Sequence, residues 1–301
     1  IDALLAQLRT LRGRGVACVF ISHKLDEVFA VADRITVLRD GSAQGTLDVA
    51  GTDADEIIRR MVGRRIEDHY PRRQSRPGRT LLALRDVGVD PPSTGGVTLH
   101  GIDLDARAGE VLGIGGLMGA GRTELLLHLM GLWGRRRSGT VELDGQPFTA
   151  ADPRTALARG LAIVTEDRKR YGLVLPQGVA FNVSLSSLQR LRRGVFVDRD
   201  GEVARTKSIV DELRIKAQTL EQPVGTLSGG NQQKVVLGKM LLTQPKVLLL
   251  DEPTRGIDVG AKLEVYELIN RLTHEGKAIV LASSELGELL GMSDRIVMLH
   301  E

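Results

Sequence analysis

Apolar and polar positions divide this chain into short hydrophobic runs set between polar stretches. The run at 247–250, Val-Leu-Leu-Leu, has no alternation, which predicts a parallel strand buried on both faces. Further strands are predicted at 16–21, 34–38, 111–114, 161–164 and 278–282. Two more, at 81–89 and 101–106, are parted by the turn residues Pro91, Pro92, Gly95 and Gly96. Helices are expected at 1–12, 25–32, about 53–62, 125–130, 198–213, 235–242 and 261–272. The succession is that of an α/β protein.

Chemistry concentrates where strands end. After the strand 247–250 come Asp251 and Glu252, at the carboxyl end where open α/β sheets bind ligands. One acid can hold Mg²⁺ and the other can orient or deprotonate a water. Just upstream, Ser228-Gly229-Gly230-Asn231-Gln232 opens a helix, with Ser228 as its N-cap. The free N–H groups and partial positive charge of such a helix start suit a phosphate. After the strand 111–114, Gly116-Leu117-Met118-Gly119-Ala120-Gly121-Arg122-Thr123 follows the phosphate-loop pattern, with Arg122 at the lysine position. The backbone of Gly116, Gly119, Ala120 and Gly121 would cradle the phosphates of ATP, and the Thr123 hydroxyl would reach Mg²⁺.

An internal repeat sets the domain organisation. Ser22, Leu25, Glu27, Asp33, Arg34 and Ile35 recur as Ser283, Leu286, Glu288, Asp294, Arg295 and Ile296, at a constant offset of 261. Residues 1–63 therefore read as the end of one unit, 64–80 as a linker, and 81–301 as most of a second. The linker carries Arg64, Arg65, Arg72, Arg73, Arg76 and Arg79 among prolines. It reads as a solvated connector, and no nucleic-acid partner is expected. Net charge is +3, and Cys18, the one cysteine, is expected in the core strand 16–21, which excludes an intrachain disulfide. No apolar run approaches the roughly 20 residues that span a bilayer, so a membrane role requires a partner.

In order and spacing, Leu-Ser-Gly-Gly-x-Gln, a helix, four aliphatic residues and Asp-Glu-Pro resemble the signature motif and Walker B strand of ATP-binding cassette (ABC) ATPases. The resemblance implies a P-loop NTPase fold: a mixed sheet core, an antiparallel β subdomain and an α-helical subdomain at about 172–222. The C-terminal part of a second such domain would precede it. It also implies roles. His23 stands where the family places its switch histidine, and Ser284 holds that position in the second unit. Glu166 occupies the place of a glutamine that senses Mg²⁺, and Thr254 to Asp258 the loop that pairs two domains. Ser228, Gly229, Gly230 and Gln232 would complete a nucleotide site on a neighbouring domain. Glu252 and His23 would act on the attacking water; Thr123, Asp251 and Glu166 would meet the metal.

Within that superfamily, Gly-Ala-Gly-Arg-Thr-Glu-Leu, Thr-Glu-Asp-Arg-Lys-Arg-Tyr-Gly-Leu and Met-Ser-Asp-Arg-Ile resemble the fused two-domain ATP-binding subunit of bacterial monosaccharide importers. That implies ATP hydrolysis coupled to sugar import, at the cytoplasmic face of the plasma membrane. The implied partners are integral-membrane permease subunits, a periplasmic or extracellular sugar-binding protein, and the first ABC domain of the same chain or a second copy. A soluble tandem ABC ATPase acting on ribosomes or nucleic acid is the rival, disfavoured by the short, proline-broken connector. A regulatory module without turnover is a third reading, against which Glu252 argues.

Overall fold

Ile35 and Val37 are buried while Arg34, Thr36 and Leu38 are exposed, a period of two that makes one face of a hairpin. The computed structural model describes residues 2–22, 25–39, 41–62, 70–71, 74–93, 96–117, 119–193 and 196–300. These fall into two units, 1–69 with 258–262, and 70–257 with 263–301.

The first unit contains helices α1 (Asp2–Gly13) and α2 (Leu25–Val31), the antiparallel strands β1 (Arg34–Arg39) and β2 (Ser42–Asp48), and helix α3 (Ala54–Val62). Its core is small: Val28, Ile35, Val37 and Ile57, with Phe20, Phe29, Leu47 and Met61 packed around them. Asp53 opens α3 by accepting the Glu56 amide at 2.8 Å. The strand expected at 16–21 does not form. Val19 and Ile21 are 93% and 92% exposed, and Cys18 is exposed rather than in a core. An extended segment becomes a strand only when neighbours take its N–H and C=O groups, and no ladder runs along this one. His23 lies outside the described residues.

The second unit begins with β3 (Thr80–Asp90), β4 (Leu99–Arg107), β5 (Val111–Gly116), α4 (Arg122–Leu129), β6 (Arg135–Leu143), β7 (Gln146–Pro147), α5 (Pro153–Ala158) and β8 (Leu161–Val164). A π-helical turn, Arg168–Gly172, leads into α6 (Val179–Ser184), the short pair β9 (Arg192–Arg193) and β10 (Phe196–Val197), and α7 (Arg199–Glu212). Then follow α8 (Gly229–Leu241), β11 (Val247–Asp251), α9 (Val259–His274), β12 (Ala278–Ala282), α10 (Leu286–Met292) and β13 (Arg295–Leu299).

The expected mixture of strand directions is divided between two sheets. Five strands, in the order β13-β5-β12-β11-β8, pair in parallel throughout, whereas β4-β3-β6-β7 is antiparallel. Every residue of β8, β11 and β12 is buried, as apolar runs covered on both faces must be. Because the five strands run one way, their carboxyl ends share one edge. Asp251 is level with Ala282, and Ala282 with Ile114, so the segments after β5, β11 and β12 leave the sheet side by side.

Tyr70 packs against α9 and α10 of this unit. Its ring centroid lies 5.5 Å from that of Tyr266, and Pro71 accepts from Asn270 at 2.8 Å. A Cβ placed at Gly291 would fall 2.2 Å from the Tyr70 ring, so α10 presents a glycine there because the ring occupies the space.

Candidate functional site

The loop between β5 and α4 owes its shape to its glycines. Gly119 and Gly121 both have φ near +87°, a conformation that side chains disfavour. At Gly121 a Cβ would also fall 2.4 Å from Leu99 Cδ2. Gly121 is the N-cap of α4 and offers no side chain to cap it, which leaves the first N–H groups of the helix for another acceptor. Arg122 and Thr123 begin that helix.

Across from them stand the acids. Asp251 closes β11 and is only 2% exposed. Burial pushes its carboxyl up to about 6, helped by the Glu252 charge and opposed by a hydrogen bond from Thr123 and by the Arg122 charge. Its Oδ2 is buried without a partner. Glu252 has φ +47°, a strained left-handed backbone for a residue with a side chain, held by its amide donating to the Ala282 carbonyl at 2.9 Å. Its carboxylate is shared: Arg122 Nη1 stands 3.4 Å from Oε1, and Ser284 donates to Oε2 at 3.2 Å. Burial raises the Glu252 pKa, while Ser284 and Arg122 hold it down. Arg122 Nη1 is itself buried without a hydrogen-bond partner, so its link to Glu252 is one of charge.

The fold thus brings Arg122, Thr123, Asp251, Glu252 and Ser284 together. These residues fit a divalent cation that arrives with phosphate oxygens. Asp251 has an orphaned, buried oxygen, the Thr123 hydroxyl is beside it, and no cluster of three His, Cys, Asp or Glu able to cage an ion exists among the described residues.

Two expected members are engaged elsewhere. Glu166, two residues past β8, forms an ion pair with Arg255. Gln232 is 4% exposed and turned inward, donating to the carbonyls of Val224 at 3.2 Å and Leu227 at 3.1 Å, which shapes the turn from behind. Ser228 is exposed and caps α8, its hydroxyl accepting the Asn231 amide at 3.4 Å, with Gly229 half-buried and Gly230 buried after it.

Sequence reasoning passed over Arg168, which donates to the carbonyls of Arg255 and Gly256. It also passed over Glu288, fully buried, which accepts from Thr254 at 2.7 Å behind Glu252. Arg168 had a signal, its place in the segment leaving a strand's carboxyl end. Glu288 had only its recurrence, as Glu27, in the repeat.

Comparisons with known proteins bear on the family and the fold. A family model described as ABC transporter matches residues 99–255. A xylose import ATP-binding protein of Moorella thermoacetica is 47% identical over 302 residues, covering 100% of this chain and 60% of its own length. A ribose import ATP-binding protein of Rubrobacter xylanophilus is 49% identical over 293 residues, covering 97% of this chain and 57% of its own. The chain therefore spans less than two thirds of the length of these curated relatives. Among solved structures, a nucleotide-free ATP-binding cassette from an ABC transporter superposes with a TM-score of 0.61 at 18% identity, covering 73% of this chain and 88% of that one. A dimeric cassette bound to ADP and Pi gives 0.61 at 22%, covering 73% and 94%. Both have the fold described above.

Proposed function

The chain belongs to the ABC transporter family, and from that premise we propose that it is an ATP-binding, ATP-hydrolysing part of a monosaccharide importer. The observation that carries the reading is the convergence of an uncapped helix start at Gly121 with Thr123 beside the buried Asp251, and with Glu252. The free N–H groups of the 116–123 loop would bind the phosphates, aided by Arg122. Thr123 and Asp251 would hold Mg²⁺, with Glu166 as a further candidate near the same sheet edge. An ion held there would supply positive charge to offset that of the phosphates. Glu252 would take the proton of the attacking water, and Ser284 would fix its carboxylate in place.

The relatives are named for xylose and ribose import, which supports a pentose or similar sugar as the substrate class. Among the described residues no helix is long and apolar enough to cross a membrane. The reading therefore gives transport to integral-membrane partners, and capture to an external sugar-binding protein, with this subunit peripheral on the cytoplasmic face. Ser228, Gly229 and Gly230 would complete a nucleotide site on a paired domain, whose switch residue would be His23.

Calorimetric titration with ATP and Mg²⁺ tests the reading. Wild-type protein should bind, and Thr123→Ala and Arg122→Ala should each weaken binding by about tenfold or more. A folded wild type that binds nothing would sink it. With Arg122 in place of lysine and Ser284 in place of histidine, this site should be the slower of a pair. In the assembled transporter, Glu252→Gln should then leave more turnover than the matching change in the partner site.

A further inference from the structure

Three segments meet at the guanidinium of Arg168. Its Nη1 donates to the Arg255 carbonyl at 3.0 Å and its Nη2 to the Gly256 carbonyl at 3.2 Å. A Cβ built at Gly229 would stand 2.9 Å from Arg168 Nη2 and 3.1 Å from the Gly256 oxygen. The first glycine of the Ser228–Gly230 turn is thus packed directly on this junction. Arg255 is gripped at both ends by residues two apart: Arg168 takes its carbonyl, and Glu166 pairs with its side chain.

We propose that Arg168 is a positioning residue that locks the Glu166 segment, the 254–257 loop and the 228–230 turn into one body. Occupancy of the Thr123–Asp251 site is then felt at the turn. The inference rests on the nucleotide reading, since Mg²⁺ with ATP is the event transmitted. Glu166 follows β8, which pairs in register with β11, and β11 ends in Asp251. A displacement at these adjoining strand ends reaches Arg168 within a few residues. From there the two carbonyl bonds carry it into the 254–257 loop, and the contact with Gly229 carries it into the start of α8. A planar fork reaches two successive carbonyls; a lysine ammonium in the same place reaches one.

The test is amide hydrogen exchange on the purified protein, wild type against Arg168→Met and Arg168→Lys, each also titrated with Mg²⁺ and ATP by calorimetry. The reporters are the amides of Gln232 and Arg255, which donate to Ser228 and Glu252 at 2.9 and 3.1 Å. Without nucleotide, both should exchange about tenfold faster in Arg168→Met, with Arg168→Lys between it and wild type, while amides of β11 keep their protection. Nucleotide should slow the Gln232 amide in wild type and leave it unchanged in Arg168→Met, although the Kd stays within about threefold.

Unchanged nucleotide-free exchange at both reporters in Arg168→Met would overturn the proposal. So would slowing at Gln232 that persists in this variant at full occupancy. If Arg168→Met fails to fold, Arg168→Lys decides by the same two reporters. A wild type that takes up no nucleotide sinks the nucleotide reading, and the nucleotide-free comparison still decides whether Arg168 holds the junction.

Discussion

Arg122 Nη1 lies 3.4 Å from Oε1 of Glu252, while Oε2 of the same carboxylate accepts the Ser284 hydroxyl at 3.2 Å. Both oxygens of the acid are engaged, and the cation on one of them is the group that a phosphate would attract. Removing the guanidinium removes one of the restraints on a carboxyl that burial already raises. In Arg122→Ala the Glu252 carboxyl should titrate higher than in wild type, because the charge that holds it down is gone. Carboxyl NMR checks this, with Glu252→Gln to identify the signal.

Asp251 predicts a trade between stability and metal binding. Its carboxyl is pushed up to about 6 from 3.8. Between those values the folded protein binds the proton more tightly than the unfolded chain, so stability falls as pH rises through the window and stays reduced above it. Asp251→Asn should be more stable than wild type by about 2 kcal/mol near neutral pH, with the gap closing below about pH 4. Urea titrations at the two pH values measure it. The same proton competes with Mg²⁺, so metal-dependent ATP binding by wild type should weaken as pH drops below about 6.

Lys239 predicts the opposite pH course. It is 6% exposed, donates to the Gly172 carbonyl, and burial lowers its pKa to about 8 from 10.5. The folded chain releases this proton before the unfolded one does, so the penalty for burying the charge is complete below about pH 8 and fades toward 10.5. Relative to Lys239→Met, wild type should gain about 2 kcal/mol between pH 7 and pH 10. Denaturant midpoints across that range give the answer.

Gly291 and Tyr70 should couple. Gly291→Ala places a methyl 2.2 Å from the Tyr70 ring and should destabilise by about 2 kcal/mol. The double variant with Tyr70→Ala should lose less than the sum of the two single losses, since the clash goes with the ring. Thermal unfolding of the four proteins measures the coupling.

Much of the fold was legible wherever local pattern and final environment coincide. The strand at 161–164 and that at 278–282 formed within those bounds, because a run apolar on every residue has only a doubly covered sheet to go to. Ser228 caps its helix because the hydroxyl needs only its own next turn. The failures are non-local. β2 was missed because Ser-Ala-Gln-Gly-Thr-Leu-Asp has little apolar alternation and is made a strand by β1 beside it. The strand at 16–21 was expected from composition, yet strand formation requires a neighbour that composition does not reveal. The acids and the glycine loop could be found as motifs. The contact of Arg122 with Glu252, and Arg168 reaching Arg255 from 87 residues away, exist only once the sheet has aligned its ends.

Glu252 sits at φ +47°, where glycine would rest without strain. Glu252→Gly would remove an acid and relieve a backbone cost on the order of 1 kcal/mol in one step. A library selected only for heat resistance should therefore drift toward glycine at 252, whereas one selected for sugar uptake should keep the acid. Which of the two residues survives reports whether a population is under pressure to fold or to work.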